Sequence, residues 1–288
     1  MRRVRILLCA CWAAMAIVLQ GPAQAAVARI TLFAIGDTGD CATDGSAKVS
    51  AAMRAQFDWS RAWLVEAGDL AYPVATRERL MKCHEPYFGM FRKRLAVPGN
   101  HDWDDHEGRG FFSVFRAPVP RAVNIGGRWQ VWLLDSNLTG AAADRQLRWL
   151  DDHTGKKGDH CVIAVWHHPR WSSGWHGKEL KGAPWWDRVA GVATFTLHGH
   201  DHHYEAVPAL NAAGAPTGAG TRSFVVGNGG ASLYPAISNA RNSRIVSGQW
   251  GFLRLDLDGD RYTWREIAVG GETLDSGEGR CINSGSRR

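Results

Sequence analysis

Short apolar segments of strand length recur along this chain, and longer helix-like stretches separate them. This alternation constrains the fold more strongly than any other feature of the sequence. The apolar segments lie at 29–35, 62–65, 95–97, 131–134, 161–166 and 193–197. The intervening stretches predict helices at 46–60, 76–94, 142–152 and 180–189. Short apolar strands that alternate with helices are typical of the buried sheets of α/β proteins.

The pattern changes near Ser223, after which strand-like sequence dominates. The stretch SFVVGNGG predicts one strand, and FLRLDLDGDRYTWREI predicts two strands that are joined at Asp258 and Gly259. An Asp-Gly pair between alternating apolar residues is a strong signal for a β-hairpin. We therefore predict a mixed sheet or two packed sheets, with the helices on the outside.

The first 25 residues have the three-part layout of a secretory signal peptide. Three arginines precede an apolar run at 6–19, and the small-residue pattern Ala23-Gln24-Ala25 follows it. The run is shorter than the roughly 20 residues that a membrane-spanning helix needs, which argues against the alternative of a retained anchor. We predict a signal peptide at 1–25, a mature domain at 26–288, and an exported protein that is periplasmic or secreted.

Charge and cysteine usage are consistent with an exported enzyme or binding protein. Loss of residues 1–25 removes three arginines and no acidic residues, which lowers the formal net charge from +6 to +3. The remaining positive charge is scattered along the chain, so binding to nucleic acid is not expected. The mature chain keeps four cysteines, and an even number in an exported protein predicts two disulfides. They are Cys41, Cys83, Cys161 and Cys281.

Side chains that bind metals follow five of the predicted strands, at the carboxyl end of each. Asp37 follows the first strand, Asp69 and Tyr72 follow the second, and Asn100 and His101 follow the third. Histidines end or follow the next two, at positions 167, 168, 198, 200, 202 and 203. Open α/β sheets build their sites at this edge. Carboxylates with imidazoles suit iron, zinc or manganese, and one carboxylate can bridge two ions.

In this order the motifs resemble those of the calcineurin-like metallophosphoesterases, and specifically those of the purple acid phosphatase branch. The motifs are DTG at 37–39, GDLAY at 68–72, GNHD at 99–102, HHP at 167–169 and GHDH at 199–202. The resemblance spans nearly the whole mature chain. It implies a four-layer αββα sandwich of two mixed sheets flanked by helices, with a dinuclear metal centre at the strand ends.

The resemblance also implies the ligands of each metal. Most of the superfamily has a histidine two residues after the first aspartate, where this chain has Gly39. In the purple acid phosphatase pattern a tyrosine fills that place, here Tyr72, and a phenolate favours a ferric ion. The first metal would be bound by Asp37, Asp69, Tyr72 and His202, and the second by Asp69, Asn100, His167 and His200. The implied ions are Fe(III) and a divalent iron, zinc or manganese.

Two further histidines have implied catalytic roles. His101, beside the ligand Asn100, resembles the phosphate-facing imidazole of the family, and His176 resembles its substrate-loop histidine, a general acid. In the doublet at 167–168 the ligand is assigned to His167, because the family ligand is followed by one residue and then proline, here Pro169.

The segment around His176 is rich in tryptophan, at positions 171, 175, 185 and 186. These rings either stack on a substrate ring or pack the segment over the edge of the sheet. Trp103, which follows the third motif, has the same two interpretations.

The function implied by the resemblance is that of an exported phosphatase, which hydrolyses phosphate monoesters by attack of metal-bound hydroxide. A phosphodiesterase or nucleotidase on the same fold is the alternative. A non-enzymatic metal-binding protein is a further one, although simple metal capture has no need of Asn100 or His101. The expected partner is a small phosphorylated substrate.

The positions of the cysteines favour one pairing without excluding the other two. Cys41 follows the first metal-binding motif and Cys83 lies beyond the second, so a disulfide between them would join two neighbouring loops. Cys161 would then pair with Cys281 and attach the C-terminal segment to the domain.

Overall fold

The computed structural model describes residues 29–282, in which two sheets pack face to face and helices cover their outer faces. This arrangement confirms the predicted α/β sandwich of two mixed sheets flanked by helices. The predicted signal peptide at 1–25 lies outside the described residues.

The described part of the chain contains thirteen strands. They are β1 (Ile30–Ile35), β2 (Trp63–Glu66), β3 (Lys93–Ala96), β4 (Arg121–Gly126), β5 (Trp129–Leu133), β6 (Cys161–Val165), β7 (Phe195–His198), β8 (Tyr204–Leu210), β9 (Thr221–Val226), β10 (Arg244–Val246), β11 (Gly251–Asp258), β12 (Arg261–Ala268) and β13 (Thr273–Arg280). One sheet has the order β13-β12-β11-β1-β2-β3, and the other has the order β10-β8-β9-β7-β6-β5-β4. The strands that lead into the predicted site are parallel, β1 to β3 in the first sheet and β5, β6, β7 and β9 in the second.

Seven α-helices occur in the same range. They are α1 (Gly45–Arg54), α2 (Arg77–Arg79), α3 (Glu85–Phe88), α4 (Asn100–Trp103), α5 (Arg109–Val114), α6 (Gly140–Lys156) and α7 (Ala183–Val189). A π-helical segment at Leu80–His84 joins α2 to α3, and short 3₁₀ turns lie at Trp59–Arg61 and Ala240–Asn242. None of the helices in the described range is long and apolar enough to span a membrane.

The alternation of side chains along the strands produces the layers. Leu32 and Ala34 of β1 belong to the cluster between the two sheets, whereas Phe33 and Ile35 pack under α1 and α3. Successive side chains of a strand point to opposite faces, so one apolar strand supplies both layers. The second sheet does the same: its outward residues pack against α6 and α7.

The helix predicted at 76–94 is wrong in extent. The chain forms α2, the π-helical segment and α3 in succession, and the helical region ends at Phe88. Pro86 lies in the first turn of α3, where its missing N–H is tolerated. In the interior of one continuous helix over 76–94 the same proline would remove a hydrogen bond and clash with the preceding turn. The helix predicted at 46–60 is likewise shorter, because α1 ends at Arg54.

The predicted hairpin between β11 and β12 is confirmed, with Asp258 paired to Arg261 across the turn. Strands β4, β8, β10 and β13 were not predicted. The sequence of β13, TLDSGEGR, has no apolar alternation, and this edge strand is held by its backbone pairing to β12.

The structure contains two disulfides, and their pairing is the one that the sequence favours. Cys41 is bonded to Cys83, which joins the loop after β1 to the π-helical segment. Cys161 of β6 is bonded to Cys281, which follows β13, so this disulfide links the two sheets. Each bond closes a long loop of chain and thereby reduces the entropy of the unfolded state.

Candidate metal centre

The carboxyl ends of five strands meet at one edge of the sandwich. β1, β2 and β3 lead into Asp37, Asp69 and Asn100, and β6 and β7 of the other sheet lead into His167 and His200. The Asp69 Oδ2 atom lies 3.2 Å from Nε2 of His167. The backbone N–H of His200 donates to Asp37 Oδ2 at 2.8 Å. Residues from both sheets therefore form one cluster.

Asp69 connects the members of this cluster. Its carboxylate is almost completely buried, and one ligand atom each of Asp69, His167 and His200 lie within 4.8 Å of one another. The Oδ1 atom accepts the backbone N–H of His101 at 2.9 Å. Burial alone would raise the pKa of Asp69, but His167 beside it holds this pKa well below its usual value. The carboxylate is therefore charged and available to a cation.

Backbone carbonyls orient two of the imidazoles. Nδ1 of His167 donates to Ala67 O at 2.7 Å, and Nδ1 of His202 donates to Ser232 O at 2.5 Å. Each Nε2 is thus the nitrogen directed to the cluster, as in many metal-binding histidines. Burial would lower the pKa of His167, yet Asp69 raises it to about 9. A cation that binds to His167 therefore has to displace the proton on its Nε2 atom.

The hydroxyl of Tyr72 points into the same cluster. It lies 2.9 Å from Asp37 Oδ1, 3.2 Å from Asp69 Oδ2 and 3.0 Å from His202 Nε2. Burial, and then the two carboxylates, raise the pKa of this hydroxyl well above its usual value. A phenolate at this position therefore requires a cation that offsets both carboxylates.

The backbone around Gly39 explains why a tyrosine can reach this position when a histidine at 39 cannot. A Cβ atom added to Gly39 would lie 2.0 Å from the carbonyl oxygen of Leu70. The carbonyl of Gly39 in turn accepts the backbone N–H of Tyr72. The loops after β1 and β2 are thus in direct contact, which leaves no space for a side chain at 39. Tyr72 enters the cluster from the second of these loops.

Asn100 Oδ1 is buried in the cluster and lacks a hydrogen-bond partner among the described residues. His167 Nε2 is buried as well and faces the Asp69 carboxylate at 3.2 Å. A buried polar atom without a partner costs about 1–3 kcal/mol, and a bound metal ion removes that cost. Amide, carboxylate and phenol oxygens together with imidazole nitrogens form a mixed donor set that suits iron, zinc and manganese. The residues present therefore fit a metal centre.

Three residues of the cluster have a strained backbone. Asp37 and Asp69 have φ values of 55°, and His200 has a φ value of 75°. Residues other than glycine adopt this left-handed conformation rarely, at a cost of order 1 kcal/mol or more, and such strain clusters at functional sites. At all three positions the strained backbone carries a residue of the cluster.

Asp102 holds the metal-binding loops together, a role that sequence reasoning missed. Its carboxylate accepts backbone N–H groups from Asp69 at 2.8 Å, Leu70 at 3.1 Å and Gly99 at 2.8 Å. The only sequence signal for it is its place in the GNHD motif. A Cβ atom at Gly99 would lie 2.0 Å from Asp69 Oδ1, so these loops approach as closely as glycine permits.

His101 lies at the mouth of the cluster, with about 33% of its side chain exposed. Its Nδ1 donates to Pro73 O at 2.6 Å, and its ring packs against Tyr72 at a centroid distance of 4.6 Å. The Nε2 atom lies 4.0 Å from Asp69 Oδ2. The imidazole therefore lies beside the cluster and is partly open to solvent.

His176 packs against His200, with ring centroids 4.0 Å apart. Its backbone N–H donates to Asp201 Oδ1 at 3.1 Å, which attaches this segment to the loop of His200. Its Nδ1 donates to Glu179 Oε1 at 2.6 Å, while Glu179 Oε2 lies 3.2 Å from His200 Nε2. Glu179 was not predicted, and its spacing of three residues from His176 was the available signal. His176, Glu179 and His200 form a second group of potential metal-binding side chains.

The other histidines of these motifs are buried and bind protein groups. His168 is hydrogen-bonded to a serine hydroxyl, His198 to a backbone carbonyl and a threonine hydroxyl, and His203 to a glutamate. Burial lowers the pKa of His198 to about 3, so its ring is neutral. None of the three was assigned as a ligand from the sequence.

The tryptophans divide between the two interpretations. Those at 171, 185 and 186 are buried in the cluster under α6 and α7, which confirms packing for these rings. Trp103 donates its Nε1–H to Asp135 Oδ2 at 2.8 Å, so it too has a structural contact. Trp175 is different, because 58% of it is exposed.

The chain belongs to the calcineurin-like phosphoesterase family, whose model matches residues 30–204. That match contains all the predicted metal ligands and both histidines with predicted catalytic roles. No curated protein sequence matches the chain.

Two solved structures illustrate the fold. GAP50, described as the anchor in the inner membrane complex of Plasmodium, is 14% identical with a TM-score of 0.71, over 88% of this chain and 89% of that one. PhoD is 11% identical with a TM-score of 0.56, over 89% of this chain and 69% of its own. At such identities the likeness shows the fold alone.

Proposed function

We propose that the mature protein is an exported, dinuclear metal-dependent phosphatase that acts on phosphate monoesters and resembles the purple acid phosphatases. The observation that supports this proposal is that two histidines outside the proposed ligand sets lie beside the cluster of proposed ligands. A site that only stores metal needs the carboxylates and imidazoles. It does not need His101 and His176, whose rings flank the cluster.

The contacts support the ligand sets that the family resemblance implies. Asp37, Tyr72 and His202 lie within hydrogen-bonding distance of one another and would hold the first metal with Asp69. The second would be held by Asp69 with Asn100, His167 and His200. We assign Fe(III) to the first site because of the tyrosine, and a divalent iron, zinc or manganese to the second. Two such ions lower the pKa of water and neutralise the charge of a phosphoryl group.

His101 binds the phosphoryl group in this account. Its Nδ1 proton is held by Pro73 O, which fixes the ring with Nε2 directed to the cluster. A proton on Nε2 makes this atom a donor to a phosphoryl oxygen. Hydrogen bonds of this kind stabilise the charge that develops in the transition state.

His176 protonates the leaving group. Glu179 accepts the Nδ1 proton of this ring and fixes its orientation, so that Nε2 is the nitrogen that delivers a proton. When the bond between phosphorus and the ester oxygen breaks, that oxygen takes the Nε2 proton and leaves as an alcohol. General acids of this type contribute about 10²–10⁴-fold to the rate.

The disulfides support the proposed export. Both bonds need an oxidising compartment to form and persist, such as the periplasm or the extracellular space. Processing near residue 25 is tested by the N-terminal sequence of protein recovered from a secreting host. An intact N-terminus on that protein would contradict the signal peptide.

The function is tested by a screen of purified protein with parallel metal analysis. We expect hydrolysis of 4-nitrophenyl phosphate in excess of bis(4-nitrophenyl) phosphate. His101→Ala should retain both metals and lose about 10²–10³-fold in kcat/KM. The opposite substrate preference would indicate the phosphodiesterase alternative. A metal-loaded wild type that hydrolyses neither ester would indicate a binding protein.

A further inference from the structure

Trp175 stands out among the aromatic side chains near the metal centre because most of it faces solvent. It is 58% exposed, whereas the three neighbouring tryptophans at 171, 185 and 186 are buried. Leu180 and Ile237 are also exposed, at 65% and 62%. These apolar side chains lie on two segments, 175–180 and 234–237, that adjoin His176 and His202. An apolar rim beside a polar site indicates a binding surface.

The ring of Trp175 is the outer member of a column of three stacked rings. Trp175 lies parallel to Tyr234, with centroids 5.1 Å apart and planes at 5°. Tyr234 in turn lies parallel to His202, at 4.0 Å and 11°. The column therefore runs outward from a proposed metal ligand. Tyr234 covers one face of the Trp175 indole, so its 58% exposure leaves much of the remaining surface open.

Hydrogen bonds hold both segments in place. The carboxylate of Asp201 accepts the backbone N–H of His176 and the hydroxyl of Ser172, on either side of Trp175. The backbone N–H of Tyr234 donates to His202 O at 3.1 Å. The N–H of Ile237 donates to the carbonyl of Ser173 at 2.9 Å, which joins the second segment to the chain two residues before Trp175. A ring bound to Trp175 would thus meet a preformed surface, which lowers the entropic cost of binding.

We propose that Trp175, supported by Tyr234, binds the planar aromatic ring of the substrate's alcohol. The preferred substrates are then phosphate esters whose leaving alcohol carries an aryl group or a nucleobase. This inference rests on the proposed function and names its substrate class. Stacking of a planar ring on an exposed indole buries apolar surface on both partners and tolerates any ring with a π face.

The test compares two esters with the same leaving group, 5′-AMP and ribose 5-phosphate. Both release a primary ribose hydroxyl, and they differ in the adenine ring. Wild type should show a higher kcat/KM for 5′-AMP. Trp175→Ala should lower the ratio of the two kcat/KM values by about fivefold to twentyfold, mainly through KM. Trp175→Phe should retain much of the ratio.

Phe57→Ala is the matched control, because Phe57 is an exposed aromatic residue that precedes β2 and so lies toward the amino-terminal end of that strand. It should leave the ratio unchanged. A second pair of substrates, benzyl phosphate and cyclohexylmethyl phosphate, tests whether the bound ring can be any aryl group or has to be a nucleobase. Loss of preference in both pairs indicates any aromatic ring, and loss in the nucleotide pair alone indicates a nucleobase.

An unchanged ratio in Trp175→Ala for both pairs would overturn the stacking role. Absence of hydrolysis of every ester by the metal-loaded wild type would instead overturn the proposed function. In that case calorimetry of 5′-AMP binding decides the stacking role by itself. Weaker binding to Trp175→Ala than to wild type supports it, and equal binding contradicts it.

Discussion

The candidate metal centre and the buried pair formed by Asn228 and Glu266 both contain buried polar atoms, but they differ in the number of polar groups that come together. In both places buried polar atoms lack a hydrogen-bond partner among the described residues: Asn100 Oδ1 at the centre, and Asn228 Oδ1 and Glu266 Oε2 at the pair. At the pair, a single hydrogen bond of 2.7 Å joins Asn228 Nδ2 to Glu266 Oε1. At the centre, carboxylates, imidazoles and a phenol from five strand ends converge.

The difference shows how a fold accommodates buried polar groups in two ways. Burial raises the pKa of Glu266 to about 8, against the hydrogen bond from Asn228 and with a further contribution from the Asp275 carboxylate. Protonation thus removes the charge of an isolated carboxyl group. A cluster of several carboxylates and imidazoles with strained backbone cannot be neutralised by one proton. A bound cation would neutralise it, so convergence rather than burial distinguishes the candidate metal site.

The largest predicted effect is that of Asp69→Asn. The variant removes the negative charge that would bridge two ions, so it should lose more than about 10³-fold in kcat and bind fewer than two metal ions. Kinetics and elemental analysis of the same preparation check this. Asp44→Asn, an exposed residue of an ion pair with Lys48, is the control and should behave as wild type. Normal turnover in Asp69→Asn would refute a two-metal centre bridged by this residue.

His176→Ala tests whether the centre works as a catalyst. Alkyl phosphates have poor leaving groups that need a proton, so the variant should lose about 10²–10⁴-fold in kcat on ribose 5-phosphate. The loss on 4-nitrophenyl phosphate should be much smaller, because 4-nitrophenolate leaves without protonation. Steady-state kinetics with both esters measure the contrast. Equal losses on the two substrates would rule out His176 as the general acid.

Residues that end or directly follow apolar strands were predictable, because both the strand and its terminal side chain leave a local signal. Asp37, Asp69 and Asn100 are of this kind. Glu179 and Tyr234 were not predictable, since each lies in an irregular segment and reaches the centre only through tertiary packing. The break in the helix at 76–94 was missed although Pro86 marks it. Strand β13 was missed because its backbone, not its side chains, holds it in the sheet.

Glu179→Gln should have a smaller effect than His176→Ala. The amide can still accept the His176 Nδ1 proton but is a weaker acceptor than the carboxylate and holds the ring less firmly, so kcat on ribose 5-phosphate should fall about 10–100-fold. A much smaller loss on 4-nitrophenyl phosphate, whose leaving group needs no proton, distinguishes this positioning role from simple structural damage. Equal losses on the two esters would speak against it.

Glu266→Gln should change stability without changing the chemistry. The raised pKa of Glu266 stabilises the fold fully below the unfolded value near 4.5, and this contribution is lost as the pH rises through about 8. Between about pH 5 and pH 9 the wild type should therefore lose roughly 2–4 kcal/mol relative to the variant. Tyr204 and Asp275 face the same carboxyl group and are left intact. Denaturant unfolding at both pH values measures the difference, and parallel pH dependences would exclude a protonated Glu266.

The central claim is that the strand-end cluster holds two metals, with Tyr72 in the place that Gly39 leaves open. The most direct test is the visible spectrum of iron-loaded protein, wild type beside Tyr72→Phe, with metal content measured in each. We expect a phenolate-to-iron charge-transfer band in the wild type and its loss in Tyr72→Phe. Tyr234→Phe, which alters the tyrosine that stacks on His202, should keep the band. A colourless wild type at full iron occupancy, or an unchanged band in Tyr72→Phe, would contradict the claim.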